Sequence, residues 1–244
     1  MKTHFLIISF VLYSLIGFIS KAQKTLIFED NFLTNTGWSE TDNENAYLKV
    51  INGKYIFQYK LNTGWWATWR SVEVDTKQDF QISCNTLWHS GVENFAYEII
   101  WGLADVDNYF AFGITANGYY RYRMRLLGEE KILIDWTSSS FINLKASNDI
   151  KIVKKDKKLE FYINNQKVNE YQFSDFYGTK IGFCIFNNQK ILFDDIKVEY
   201  LSNISTSSKN ENIVFYDDFS QNVNLWADSE DENTLFKVMS GKYI

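Results

Sequence analysis

Between residues 24 and 201, apolar and polar residues alternate with period two, and no stretch sustains apolar residues at i, i+3, i+4 and i+7. Successive strand side chains point to opposite faces, so the pattern calls for strands with one buried face and excludes amphipathic helices. Candidate strands are 48–51, 54–60, 67–74, 79–87, 95–102, 109–115, 118–126, 131–136, 149–154, 158–163, 166–171, 180–186 and 191–200. Asn52-Gly53, Asn117-Gly118 and Asn164-Asn165 punctuate them as hairpin turns, because Asn and Gly tolerate positive φ. The chain has no proline, which excludes polyproline stalks and collagen-like stretches. Short strands in this number predict an all-β fold: two packed antiparallel sheets, a jelly-roll β-sandwich, with no substantial helix after the leader.

That leader is Met1 to Ala22. Lys2 and His4 precede an apolar run over 5–19, and Ser20-Lys21-Ala22 puts small residues at positions −3 and −1 of a cut before Gln23. Charged start, apolar centre and small-x-small end make a secretory signal peptide. The run is shorter than the roughly 20 residues a membrane-spanning helix needs. The expected location is secreted, periplasmic or cell-surface, with no membrane span after cleavage. Cys84 and Cys184 are the only cysteines. In an oxidising compartment they either pair or serve as two buried apolar side chains.

A stretch near the start returns near the end. Aligned with one gap before Gly37, 26–56 and 213–244 are identical at 13 of 31 positions. Shared residues include Phe28/Phe215, Asp30/Asp217, Phe32/Phe219, Trp38/Trp226 and a closing Gly-Lys-Tyr-Ile. The offset of 187–188 residues is that of a whole domain, too long for a solenoid. The reading is a domain at 24–201, a polar linker at 202–212, and the start of a truncated second copy at 213–244, as in a fragment of a tandem protein.

Composition narrows the function classes. The net charge is −5, without a long basic run, which excludes ordinary nucleic-acid binding. Two cysteines and two histidines exclude Cys-based zinc fingers and His-rich metal sites. His4 lies in the leader, so any His-dependent catalytic set rests on His89. Aromatic residues make up 18% of the chain, enough for a large core and an aromatic binding surface together.

Several motifs carry a resemblance over residues 26–200. They are Phe28-Glu29-Asp30-Asn31-Phe32, Gly53-Lys54-Tyr55, Trp101-Gly102 before Asp107-Asn108-Tyr109-Phe110, and Ile134-Asp135-Trp136. The later ones are Lys-Leu-Glu-Phe-Tyr-Ile-Asn-Asn-Gln at 158–166, Lys180-Ile181-Gly182-Phe183, and Phe193-Asp194-Asp195-Ile196-Lys197-Val198. Together they resemble a bacterial domain of the concanavalin A-like lectin/glucanase superfamily, the laminin G-like jelly roll. More distantly, the chain resembles bacterial domains assigned to keto-sugar hydrolysis. The resemblance implies a structural calcium where first and last strands meet, and the matching positions are Asn31, Gly53 and Asp194. It requires no other cofactor. Laminarinase-type members carry Glu-x-Asp-x-x-Glu on one strand. The comparable strand here offers only Glu98, with Ile100 where a second carboxylate would sit. Asp105 and Asp107 follow in a turn.

Sugar binding needs flat aromatic faces and a few placed polar groups. Trp65-Trp66-Ala67-Thr68-Trp69-Arg70 puts Trp65 and Trp69 on one strand face and Trp66 on the other. In Tyr119 to Arg125, Arg121, Arg123 and Arg125 share a face with Tyr119, while Tyr120, Tyr122 and Met124 take the core face. The candidate binding set is therefore Trp65, Trp69, Tyr119, Arg121, Arg123 and Arg125. The bland counterpart is a core Trp pair and an Arg row pairing with acids around 105–109. Trp88, Trp101 and Trp136 are expected in the core. Three function classes follow. The first is a secreted, non-catalytic lectin-like module binding a glycan or polysaccharide through its concave aromatic face. The second is a structural or adhesive module whose partner is a protein or another domain of the parent polypeptide. The third is a glycoside hydrolase-like enzyme.

Overall fold

The computed structural model describes residues 24–201 and, further on, 229–230, 235–236, 238–239 and 242–243. The expected leader, the linker and most of the expected second copy lie outside the described residues. The chain divides into two units, Met1–Asn203 and Ile204–Ile244.

The described residues of the first unit, 24–201, are all-β. Its strands are β1 (Lys24–Asp30), β2 (Thr41–Asp42), β3 (Ala46–Ile51), β4 (Lys54–Tyr59), β5 (Trp65–Ser71), β6 (Phe80–Gly91), β7 (Tyr97–Asp105) and β8 (Asn108–Ile114). There follow β9 (Tyr119–Leu126), β10 (Glu129–Ser138), β11 (Ser147–Lys155), β12 (Lys158–Ile163), β13 (Gln166–Gln172), β14 (Lys180–Phe186) and β15 (Gln189–Leu201). All pairings are antiparallel. One sheet runs β13-β12-β11-β6-β15-β4-β3-β2, with β1 also on β15; the other runs β10-β9-β8-β7-β14-β5. This is the expected two-sheet β-sandwich. Asn52 and Gly53 (φ 52° and 72°) and Asn164 and Asn165 (φ 49° and 64°) form two-residue hairpin loops whose twist matches the flanking strands.

The alternating residues meet between the sheets. Tyr55, Phe57 and Tyr59 of β4 face inward, as do Tyr97, Ile99 and Trp101 of β7, Tyr120 and Tyr122 of β9, and Phe183 of β14. Across the core, Phe183 stacks on Phe193 at 3.9 Å between ring centroids, and Phe112 on Phe161 at 4.6 Å. Asp30 organises the turn after β1. Its buried carboxylate accepts the Phe32 N–H at 2.8 Å, the Trp38 indole N–H at 2.9 Å and the Thr36 hydroxyl. That pins Phe32 and Trp38 against Tyr55 and Phe183.

The cysteines are both free and buried. Cys84 packs in the main core, whereas Cys184 faces the other side of the six-stranded sheet. With a sheet between them they cannot reach disulfide distance. Burial raises both thiol pKa values. A reducing agent is therefore expected to leave the melting temperature unchanged, and thiol titration to detect both cysteines only after unfolding. A thermal shift on reduction would contradict this placement.

In the second unit, β16 (Ser229–Glu230) pairs with β17 (Leu235–Phe236), and β18 (Val238–Met239) with β19 (Lys242–Tyr243). The registers are Ser229↔Phe236 and Val238↔Tyr243. Moved back by the repeat offset of 188, these become Thr41↔Leu48 and Val50↔Tyr55, which are pairs of β2–β3 and β3–β4. The two stretches thus share pairing register as well as sequence.

Candidate functional site

The six-stranded sheet has an outer face, turned away from the main core, and its rows explain what gathers there. One row reads Ala67, Cys184, Glu98, Gly113, Arg121 across β5, β14, β7, β8 and β9; the next reads Trp69, Gly182, Ile100, Ala111, Arg123. The middle of the face is therefore floored by small residues. Long side chains from both edges lie down over it. The Arg123 guanidinium sits 5.2 Å from the Tyr109 ring and 5.3 Å from the Phe186 ring. Arg121 sits 4.6 Å from the Trp136 ring and 5.5 Å from Phe186, and Arg125 5.8 Å from Trp65. Lys180 lies 5.7 Å from the Trp69 ring. The face is a continuous layer of cations against aromatic rings.

A buried ion pair anchors this layer. Arg123 donates from Nε to Glu98 Oε1 at 2.9 Å, and from Nη2 to Glu98 Oε2 at 2.5 Å and to the Tyr109 hydroxyl at 3.1 Å. Arg121 reaches Glu98 Oε1 at 3.4 Å, and Glu130 closes the group at 3.3 Å from Arg123. The Glu98 and Arg123 side chains are 0% and 1% exposed. Burial alone would raise the Glu98 pKa, but the charges of Arg123 and then Arg121, with their hydrogen bonds, outweigh it and hold the carboxyl below its ordinary value. Gly113 makes the pair possible. A Cβ there would run into the Glu98 side chain and lie 2.9 Å from the Tyr97 carbonyl oxygen.

All six expected binding residues lie on this one face, in different roles. Tyr119 is 41% exposed, and Trp65 and Trp69 are half-buried. Arg125 pairs with Asp107 at 3.5 Å, the acid expected on the neighbouring turn. Arg121 is 12% exposed, and Arg123 is inside the ion pair. The arginines therefore hold up the face more than they present to solvent. The sequence reading missed Trp136. Expected in the core, it is 40% exposed on the outer face. It has the same parity as Ile134, which packs on the core, so strict alternation would bury it. A register shift between Ile134 and Thr137 turns it outward. Trp101 is in the core, and Trp88 packs against it.

Glu98 was the one carboxylate with a catalytic reading, and it is sealed. Asp105 accepts the Asp107 N–H at 2.9 Å and the Asn108 amide at 2.8 Å, as a turn-forming aspartate does. His89 is exposed, with Ser90 Oγ at 3.1 Å. At the position of the implied calcium, Asp194 Oδ2 bears the Lys54 ammonium and Oδ1 accepts the Asp195 N–H, while Asn31 Oδ1 accepts the Leu33 N–H at 3.2 Å. The one carboxylate of the set already holds a cation, so these residues as placed do not fit the ion. Among the described residues no cluster of three or more His, Cys, Asp or Glu offers a metal site, and no helix is long and apolar enough to cross a membrane.

No protein-family model and no curated protein matches the sequence. Solved structures do resemble the fold. A carbohydrate-binding module from Bacillus subtilis is similar over 67% of this chain and 96% of its own, at 13% identity and TM-score 0.50. A Bacillus subtilis protein of galectin-like fold is similar over 75% and 99%, at 11% identity and TM-score 0.52. The catalytic domain of an endo-1,3-β-glucanase (laminarinase) from Thermotoga petrophila is similar over 75% and 100%, at 10% identity and TM-score 0.51. These likenesses show the fold alone, an antiparallel two-sheet jelly-roll β-sandwich. The similar structures include both a binding module and a catalytic domain, so the fold leaves function to the site.

Proposed function

We propose that this chain is a secreted, non-catalytic carbohydrate-binding module that takes glycan on the outer face of its six-stranded sheet. The observation that carries the reading is the set of partly exposed aromatic side chains, Trp65, Trp69, Tyr119 and Trp136, on a single face whose floor is fixed by a buried ion pair. Rigid aromatic planes are what sugar C–H surfaces stack on. The similar carbohydrate-binding module from Bacillus subtilis supports it as fold-level analogy. The sealed, arginine-bound Glu98 supports the non-catalytic part, since glycoside hydrolysis normally needs two accessible carboxyl groups. Secretion rests on the leader sequence. Tandem organisation rests on the repeat and its common register, and linked weak sites gain avidity.

Affinity electrophoresis of the full chain in gels containing soluble polysaccharides tests this reading. Retardation by at least one polysaccharide is expected, and the Trp69→Ala/Tyr119→Ala double variant is expected to lose it while keeping a cooperative melt. A folded wild type that no polysaccharide retards would overturn the proposal. So would a double variant retarded as strongly as wild type.

A further inference from the structure

Two hollows adjoin at one end of the outer face, with Tyr119 lining both. The first, about 210 Å³, is lined by Asn94, Thr115, Asn117, Tyr119 and Trp136. The second, about 420 Å³, runs from Asn117, Gly118 and Tyr119 past Ser138, Ser139 and Ser140 to Ile142 and Leu144. Neither lining contains a charged residue, in a chain where 23% of residues are charged. Glu93 and Lys145 pair at 2.7 Å, and Arg121, Arg123 and Arg125 are held by Glu98, Glu130 and Asp107.

The walls are fixed and their polar groups are open. Asn117 N–H donates to the Glu93 carbonyl at 3.2 Å, and Ser139 N–H to the Gly118 carbonyl at 3.0 Å, tying three segments together. Gly118, at φ 96°, makes the turn that presents Tyr119. Asn117 Oδ1 accepts the Thr115 hydroxyl at 2.6 Å, which leaves the amide NH₂ free to donate. The Asn94 amide and the Ser138 and Ser140 hydroxyls have no partner among the described residues. Arg121 lies over the Trp136 indole, which is still 40% exposed and lines the first hollow. Uncharged donors beside two exposed aromatic planes match the hydroxyls and C–H faces of an uncharged sugar.

Resting on the carbohydrate-binding reading above, we infer that the ligand is a neutral glycan, and that its chain passes Tyr119 with sugar residues on both sides. The arginines then act as positioning residues and make no ligand contact. Affinity electrophoresis against neutral and acidic polysaccharides, at low and high sodium chloride, tests this with three single variants. Tyr119→Ala and Asn117→Asp are expected to weaken binding to a neutral polysaccharide by about tenfold or more, at an unchanged melt. Trp69→Ala, which touches neither hollow, is expected to weaken binding less than Tyr119→Ala does. Binding is expected to be insensitive to salt. Preference for acidic polysaccharides with strong salt dependence would overturn the neutral class. Loss in Trp69→Ala with Tyr119→Ala and Asn117→Asp intact would overturn the location while leaving the glycan reading standing. Absence of binding to every polysaccharide would overturn both.

Discussion

Replacing Glu98 with glutamine is expected to lower stability by about 3–5 kcal/mol, because it leaves the Arg123 guanidinium buried without its counter-charge. For a domain of this size that is a fall in melting temperature on the order of 10 °C. Replacing both partners with apolar residues, Glu98→Leu with Arg123→Met, is expected to recover much of the loss. Desolvating two charges costs nearly what their attraction returns, and most of the single-variant penalty belongs to the orphaned charge. The pair also predicts a pH dependence. The folded Glu98 pKa is lowered, so its contribution is complete above the ordinary glutamate value and drains away as pH falls below that value through the folded one. Glu98→Gln is expected to lack this acid limb. Gly113→Ala, pushing into the same carboxylate, is expected to destabilise by about 1–3 kcal/mol. Thermal melts across pH check all three variants. A Glu98→Gln melt within a degree or so of wild type would mean the pair is not buried as described.

Asp30→Ala is expected to cost about 2–4 kcal/mol, the second largest effect. Hydrogen bonds to a charged acceptor contribute about 1.5–3 kcal/mol each, and they do not add fully when they share one carboxylate. The variant strands the Trp38 indole N–H in the core and releases the turn that holds Phe32 at φ 53°. Asp30→Asn does not rescue, since donors approach both carboxylate oxygens and an amide offers one acceptor. The exposed neighbour is the control. Asn31→Ala removes one turn hydrogen bond of 3.2 Å, and chemical denaturation should register a change of about 0.5 kcal/mol or less. Equal effects at the two positions would sink the assignment of the turn to Asp30.

The fold was legible because alternation and turn chemistry agree. Asn52-Gly53 and Asn164-Asn165 lie where the hairpins need positive φ, and Tyr120 and Tyr122 fall on the core face their parity dictates. The common face of Trp65, Trp69, Tyr119 and the arginines was legible for the same reason. Two features of the site were not. Trp136 escaped because an irregularity in β10 breaks the parity on which the reading depends. The burial of Arg123 escaped because its partner lies two strands away. Only the small size of Gly113 and Ala111 on the intervening strand lets the guanidinium reach across, and that requires the register of three strands at once. The fate of Asp194 had a similar cause. Lys54 is 140 residues distant in sequence and adjacent in space.

Glycan binding on the outer face of the six-stranded sheet is open to direct observation. The most direct measurement follows the indole N–H signals of the full chain by heteronuclear NMR while soluble neutral polysaccharides are added in turn. The Trp136 signal and the backbone signals of Asn117 and Tyr119 are expected to shift or broaden with at least one of them, while Trp38 and Trp101 in the core stay fixed. Perturbation confined to the opposite sheet, around Ser83, Asn85 and Lys151, would contradict it, as would a face that no polysaccharide disturbs.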